Sequence, residues 1–153
     1  MKTVFKIFLV LLLFSCANQI SFDKKIPNIN LIVKQDKYSL ILKHQFYKNF
    51  NNFDDGLGKI TVKTNLSFKT NKALSNKGNS NLNIISGKVS YKIIDSLNKE
   101  VSSGSISSSI NTGNISSLYG VDKNNNFAKE RISRHLANKL FRRILLNINS
   151  SEN

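Results

Sequence analysis

The chain is short of nearly everything that metal binding, disulfide bonding or side-chain catalysis requires. Among its 153 residues there is one cysteine, Cys16, so no disulfide can form within the chain and the core must hold by packing alone. The two histidines, His44 and His135, each stand without a cluster of cysteines or acids at ligand spacing, which argues against a metal centre. Acids are scarce, nine against 23 lysines and arginines, and the one adjacent pair, Asp54-Asp55, lies in a glycine-containing stretch that reads as a turn rather than as an acid-base couple. Gly56-Leu57-Gly58 runs from a helical pattern into a strand pattern, the reverse of the order in which a helix N-terminus receives phosphate. Serines are plentiful but form no nucleophile elbow and have no paired histidine. Nothing here calls for a cofactor or a catalytic residue, and the chain reads as a non-enzyme. The longest apolar run, Ile7 to Phe14, is also too short to cross a bilayer, which takes about 20 residues.

What the N-terminus does contain is ordered. Lys2 and Lys6 without an acid, then a short apolar core, then a small residue, is the sequence of parts in a bacterial secretory signal. Leu13-Phe14-Ser15-Cys16 resembles a lipobox, at which bacterial lipoproteins are acylated on the cysteine sulfur and cleaved just before it. That resemblance makes residues 1–15 a lipoprotein signal peptide and residues 16–28, polar and with the only proline at Pro27, a lipidated tether. Ala17 stands where aspartate is the usual inner-membrane retention signal, so the expected place is the outer membrane. Two or more acyl chains hold a protein stably without any span.

Removal of residues 1–15 leaves 138, one ordinary domain, with 21 basic against 9 acidic residues and a formal charge of +12. An imbalance of this size favours an anionic partner, either nucleic acid, anionic lipid or a phosphorylated glycolipid, although abundant lysine is also what an AT-rich genome encodes. An export signal argues against nucleic acid, whose binding would fall steeply with salt.

Hydrophobic periodicity predicts six elements. Asn28 to Lys34 is a β-branched strand. Tyr38, Leu42, Phe46, Phe50 and Phe53 make the apolar stripe of a helix begun by Gln35-Asp36 and ended by Asp54 to Gly58. Ile60, Val62, Thr64, Leu66 and Phe68 alternate with polar residues, as do Ile85, Val89, Tyr91 and Ile93, with Gly87 leaving a gap on the inner face. A polar loop, Thr70 to Asn81, joins these two strands, and Asp95 to Asn98 turns the chain into a fourth over Lys99 to Thr112. After a loop from Gly113 to Asn126, a helix runs to about Asn147 with Ile132, Leu136, Leu140, Ile144 and Ile148 buried and Lys129, Arg131, Arg134, Lys139, Arg142 and Arg143 outside. Residues 29–149 then form a single α+β domain and 150–153 a disordered tail. The fold expected is a two-layer sandwich of β-α-β-β-β-α order, a four-stranded, mainly antiparallel sheet with both helices packed on one face. Period-two geometry sends Lys63, Lys69, Lys88 and Lys92 to the opposite, open face, where they are candidates for binding lipopolysaccharide phosphates; such a face can equally be a solubilising one.

With the lipobox, the element order, the strand Gly87-Lys88-Val89-Ser90-Tyr91-Lys92-Ile93-Ile94-Asp95, the loop segment Ser117-Leu118-Tyr119 and the block Ala128 to Leu140 in view, the chain resembles the LptE family of LPS-assembly lipoproteins, in particular its alphaproteobacterial type. It departs from the family just after Cys16, where many members carry Gly-Phe and then Pro-Leu-Tyr and this chain has Ala17 to Asp23. The resemblance implies a non-catalytic protein, lipid-anchored on the periplasmic side of the outer membrane, that plugs and helps assemble the LptD β-barrel and binds lipopolysaccharide on its way to the surface. The alternative is an auxiliary lipoprotein of another envelope lipid-transport system of the ABC type.

Overall fold

The structure is a computed structural model and describes residues 26–49, 53–74, 81–113 and 117–150; Cys16 and the signal segment lie outside them. Six elements follow in the order β1 (Ile26–Ile32), α1 (Lys37–Lys48), β2 (Phe53–Leu74), β3 (Asn81–Ile94), β4 (Glu100–Thr112) and α2 (Leu118–Ser150). The four strands lie in one sheet in sequence order. β2, β3 and β4 are an antiparallel meander, whereas β1 pairs with β2 in parallel, with α1 as the crossover between them. The sheet is therefore mixed, and the fold is the α+β sandwich of β-α-β-β-β-α order that the periodicity predicts.

Local chemistry explains each helix start. Asp36 is the N-cap of α1, its carboxylate accepting the N–H groups of Tyr38 and Ser39 at 3.1 and 3.0 Å and the Ser39 hydroxyl at 2.7 Å. Burial alone would raise this carboxyl's pKa, but the bonds from Ser39 and Tyr38 and the nearby charge of Lys34 hold it below the ordinary range. At α2, the Ser117 hydroxyl takes the N–H of Gly120, and the Ser117 carbonyl takes that of Val121.

One core fills the space between the layers. Ile29, Leu31, Val62, Ile85, Val89 and Ile93 from the sheet meet Leu42 and Phe46 from α1 and Ile132, Leu136, Ala137, Leu140 and Ile144 from α2, all buried. The helices also bind one another: Tyr38 donates to Asn126 at 2.7 Å, Lys37 pairs with Glu130 at 2.9 Å, and Gln45 and Asn49 both donate to the Asn138 side chain. Gly87 is where α2 comes down on the sheet. A β-carbon there would lie 2.5 Å from Ile132 Cγ2, 3.1 Å from Phe68 and 3.2 Å from Leu136, so the inner-face gap in β3 is filled by the helix. On β4, Gly104 lies under the Tyr91 ring in the same way.

The boundaries differ from the sequence reading in several places. α1 ends at Lys48 with Asn49 as its cap, and Phe53, expected on the helical stripe, opens β2; Phe50 lies outside the described residues. The segment Asp54 to Gly58, expected as a turn, belongs to β2: Pro27 faces Asp54 but Asn28 faces Lys59, so residues 55–58 form an irregularity opposite a single step of β1. Of the expected loop from Thr70 to Asn81, Thr70 to Leu74 and Asn81 are strand, with Leu74 paired opposite Asn81, and residues 75–80 lie outside the described residues. The last helix begins at Leu118 rather than Asn126 and runs through Ser150, one residue into the expected tail, while at the other end Ile26 and Pro27 of the expected tether belong to β1.

The outer edge of β1 is closed. The Tyr47 hydroxyl of α1 accepts the Leu31 N–H at 2.8 Å and donates to the Ile29 carbonyl at 3.2 Å, occupying the backbone groups that a further strand would need.

Candidate functional site

Both helices cover one face of the sheet and leave the other open. The strand registers place the residues of that open face in rows across β2, β3 and β4. Lys63 faces Lys92, which faces Ser103; next come Asn65, Ser90 and Ser105; then Ser67, Lys88 and Ser107; then Lys69, Ser86 and Ser109. All are exposed except Ser86, which is half-buried. The surface is thus a lawn of hydroxyls and amides with four ammonium groups set into it, each at the end of a flexible stem that meets phosphate as a point charge.

The four lysines fall into two groups. Lys63 and Lys92 are direct cross-strand partners, with Cβ atoms about 5 Å apart, and two like charges there repel unless an anion lies between or beside them. Lys69 and Lys88 are diagonal neighbours. The neutral row of Asn65, Ser90 and Ser105 separates the groups, and four residues of strand put them about 13 Å apart. Lys92 already has one anion: its Nζ lies 2.9 Å from Glu100 Oε2 at the start of β4. The ammonium holds the exposed Glu100 carboxyl below its ordinary pKa, with a further hydrogen bond from Ser103. All four residues therefore share the face that alternation assigns to them, but Lys92 is partly neutralised and the remaining three carry the uncompensated charge. The hydroxyl rows and Glu100 were missed in the sequence; the alternating serines at 103, 105, 107 and 109 were the available signal.

Little else resembles a site. Among the described residues, no three of His, Cys, Asp and Glu come together as metal ligands, and His44 and His135 are both exposed. An apolar hollow of about 180 Å³ lies at the end of the sheet between Ile60, Ile93, Val101 and Ile148. Its one carboxylate, Asp95, is engaged by the N–H groups of Leu97 and Lys99 in the turn where Asn98 takes a left-handed φ of 62°. Among the described residues, no helix is long and apolar enough to cross a membrane.

No protein-family model matches the chain, and no curated protein matches its sequence. Solved structures do match its shape. A minor lipoprotein from Acinetobacter baumannii superposes with a TM-score of 0.61 at 13% identity, over 83% of this chain and 96% of the other. Rare lipoprotein B from Shewanella oneidensis gives 0.59 at 10% identity, over 82% and 99%. At such identities the likeness is one of fold: this chain has the fold of these two bacterial lipoproteins.

Proposed function

We propose that the protein is an outer-membrane lipoprotein, held on the periplasmic side by lipid on Cys16, that occupies the lumen of an LptD-type β-barrel, helps that barrel assemble and binds lipopolysaccharide in transit. The observation that carries this reading is the open sheet face, two lysine groups separated by a neutral hydroxyl row, on a domain that shares the fold of two bacterial lipoproteins. A barrel lumen is polar, so a plug needs a wet, uncluttered face rather than an apolar patch. A phosphorylated disaccharide offers an anion at either end to the two lysine groups and hydroxyls between them to the neutral row. On this reading the role is binding rather than catalysis.

Purification of the lipidated protein from gently solubilised outer membranes tests the partner: a large β-barrel should accompany it, and recovery of the protein alone counts against the plug. Replacement of Lys63, Lys69, Lys88 and Lys92 by Glu tests the ligand. Folding should persist, since all four are exposed, while lipopolysaccharide binding should weaken, most at low salt where attraction is least screened. Reversal of Lys129, Arg131, Lys139 and Arg142 on α2 is the control, and equal loss from both sets would reduce the effect to net charge.

A further inference from the structure

The two edges of the sheet are treated in opposite ways. β1 carries Pro27 and is closed by Tyr47, whereas β4 is 13 residues long and has no charged residue from Val101 to Thr112, in a chain where 21% of residues are charged. Edge strands are normally blunted by lysines, prolines, bulges or a covering element, because an unpaired row of N–H and C=O groups recruits another strand. The direction of β4's backbone groups can be read from one contact. Lys139 Nζ of α2 donates to the Ser107 carbonyl at 3.1 Å, so that carbonyl points away from β3. N–H and C=O of one residue point to the same side of a strand, and the pairing with β3 is regular from Ser102 to Thr112. Ser103, Ser105, Ser107, Ser109 and Asn111 therefore turn their backbone groups outward, and among the described residues only the Ser107 carbonyl has a partner there.

A basic row overhangs this edge. Asn147 reaches Ser102 Oγ at 3.3 Å and Lys139 reaches Ser107, so α2 runs antiparallel to β4 along its length. Residues four apart lie on one line of a helix, which puts His135, Lys139, Arg143 and Asn147 along the strand; the first three are exposed. From Arg131 to Ser150 there is no acid to balance them.

We propose that the free edge of β4 and the α2 row above it form a docking site for an extended, acidic segment of another protein, which adds to the sheet as a fifth strand. Outward backbone groups of β4 supply the ladder, and alternate carboxylates of the incoming strand meet Lys139 and Arg143. A second copy of this chain is the poorer occupant: pairing β4 with β4 about a two-fold axis would bring two basic rows together. The site goes beyond the proposed function, since it is separate from the lysines of the open face.

The test titrates a labelled, capped peptide as long as β4, alternating aspartate with threonine and valine, against the full lipidated chain in uncharged detergent. A matched peptide with lysine for aspartate is the comparison. The acidic peptide should bind and the lysine peptide should not. Ser105→Pro removes an outward N–H without touching the β3 ladder, and should weaken binding roughly tenfold or more at unchanged melting temperature; Ser109→Pro serves if Ser105→Pro fails to fold. The double reversal Lys139→Glu with Arg143→Glu should switch preference to the lysine peptide. The variant with Glu at Lys63, Lys69, Lys88 and Lys92 should bind the peptide normally, and the Lys139→Glu, Arg143→Glu double reversal should bind lipopolysaccharide normally, so failure of one site is distinct from failure of the other. Equal binding of both peptides, no binding of either, or indifference to the proline variants overturns the proposal, as does a dimer in sedimentation that Ser105→Pro abolishes.

Discussion

Gly87 is a position where the fold is exposed to a single added methyl group. In Gly87→Ala the new carbon would lie 2.5 Å from Ile132 Cγ2, well inside van der Waals contact, with Phe68 and Leu136 close behind at 3.1 and 3.2 Å. The struck atom is not the free end of a long chain. Cγ2 is bonded directly to the Ile132 β-carbon, that side chain is fully buried, and β-branched residues in a helix keep one χ1 rotamer, so relief requires α2 to move off the sheet. Overpacking of this kind costs about 1–3 kcal/mol, while alanine regains about 0.5–1 kcal/mol over glycine within a strand. The net expectation is a loss of about 1–2 kcal/mol, which for a domain of this size lowers the melting temperature by roughly 3–10 °C. The assay is thermal unfolding of Gly87→Ala, Ile132→Ala and their double mutant. Ile132→Ala alone should be costly, about 2–5 kcal/mol, but it makes room for the added methyl, so the double mutant should be more stable than the sum of the two by about 0.5–3 kcal/mol. A Gly87→Ala protein as stable as the wild type, or strict additivity in the cycle, would refute the contact between α2 and β3 at this point.

Three further outcomes are expected. Cys16→Ser should abolish labelling by a fatty-acid probe and release the protein from the membrane fraction, and persistent labelling would remove the lipobox assignment. Leu136→Ala and Leu140→Ala, both at fully buried positions, should each cost about 2–5 kcal/mol in chemical denaturation, and unchanged midpoints in both would show that the stripe faces something other than the sheet. Asp36→Ala removes the cap of α1 and should cost about 0.5–2 kcal/mol near neutral pH. Because the folded carboxyl titrates below its ordinary value, its ionised form stabilises the protein above the ordinary carboxylate pKa, and that contribution fades as pH falls through the lowered one. The gap in melting temperature between wild type and Asp36→Ala should therefore narrow on acidification, and a gap that widens would contradict the cap.

Where one face of an element is buried, the sequence carries the answer in its period. Ile60 to Phe68 and Ile85 to Ile93 alternate because one side meets helices and the other meets water, and the Ile132-Leu136-Leu140-Ile144 stripe repeats because α2 presents one side to the sheet. The ends were harder to read. Gly120 and Asn124 to Asn126 are poor helix formers, so nothing local announces that α2 begins at Leu118; packing and the contacts of Ser117 and Asn126 carry that first stretch. Phe53 continues the helical spacing of Phe46 by coincidence of register, although it opens a strand. Asp54 to Gly58 has the chemistry of a turn and is instead absorbed by an irregularity in β2. The open face shows the same division. Parity alone placed the four lysines together, but pairing across strands decides that Lys63 faces Lys92 and that Glu100 reaches Lys92, and such registers depend on contacts between distant parts of the chain.

The parallel pairing of β1 bears on how the chain folds. Between β2 and β3 only six residues intervene, and between β3 and β4 five, so the meander can form at little entropic cost. β1 must instead wait for twenty residues, α1 included, before β2 stands beside it. Loop closure grows only slowly with length, about 0.6 kcal/mol for each doubling, so the delay comes less from the loop than from the need for β2 to be fixed first. β1 is then among the last strands to find its partner, and until it docks, Tyr47 has no edge to close and the β2 side of the sheet stays open. A factor that holds the chain before folding is complete would find that edge, rather than the finished domain, as its natural point of grip.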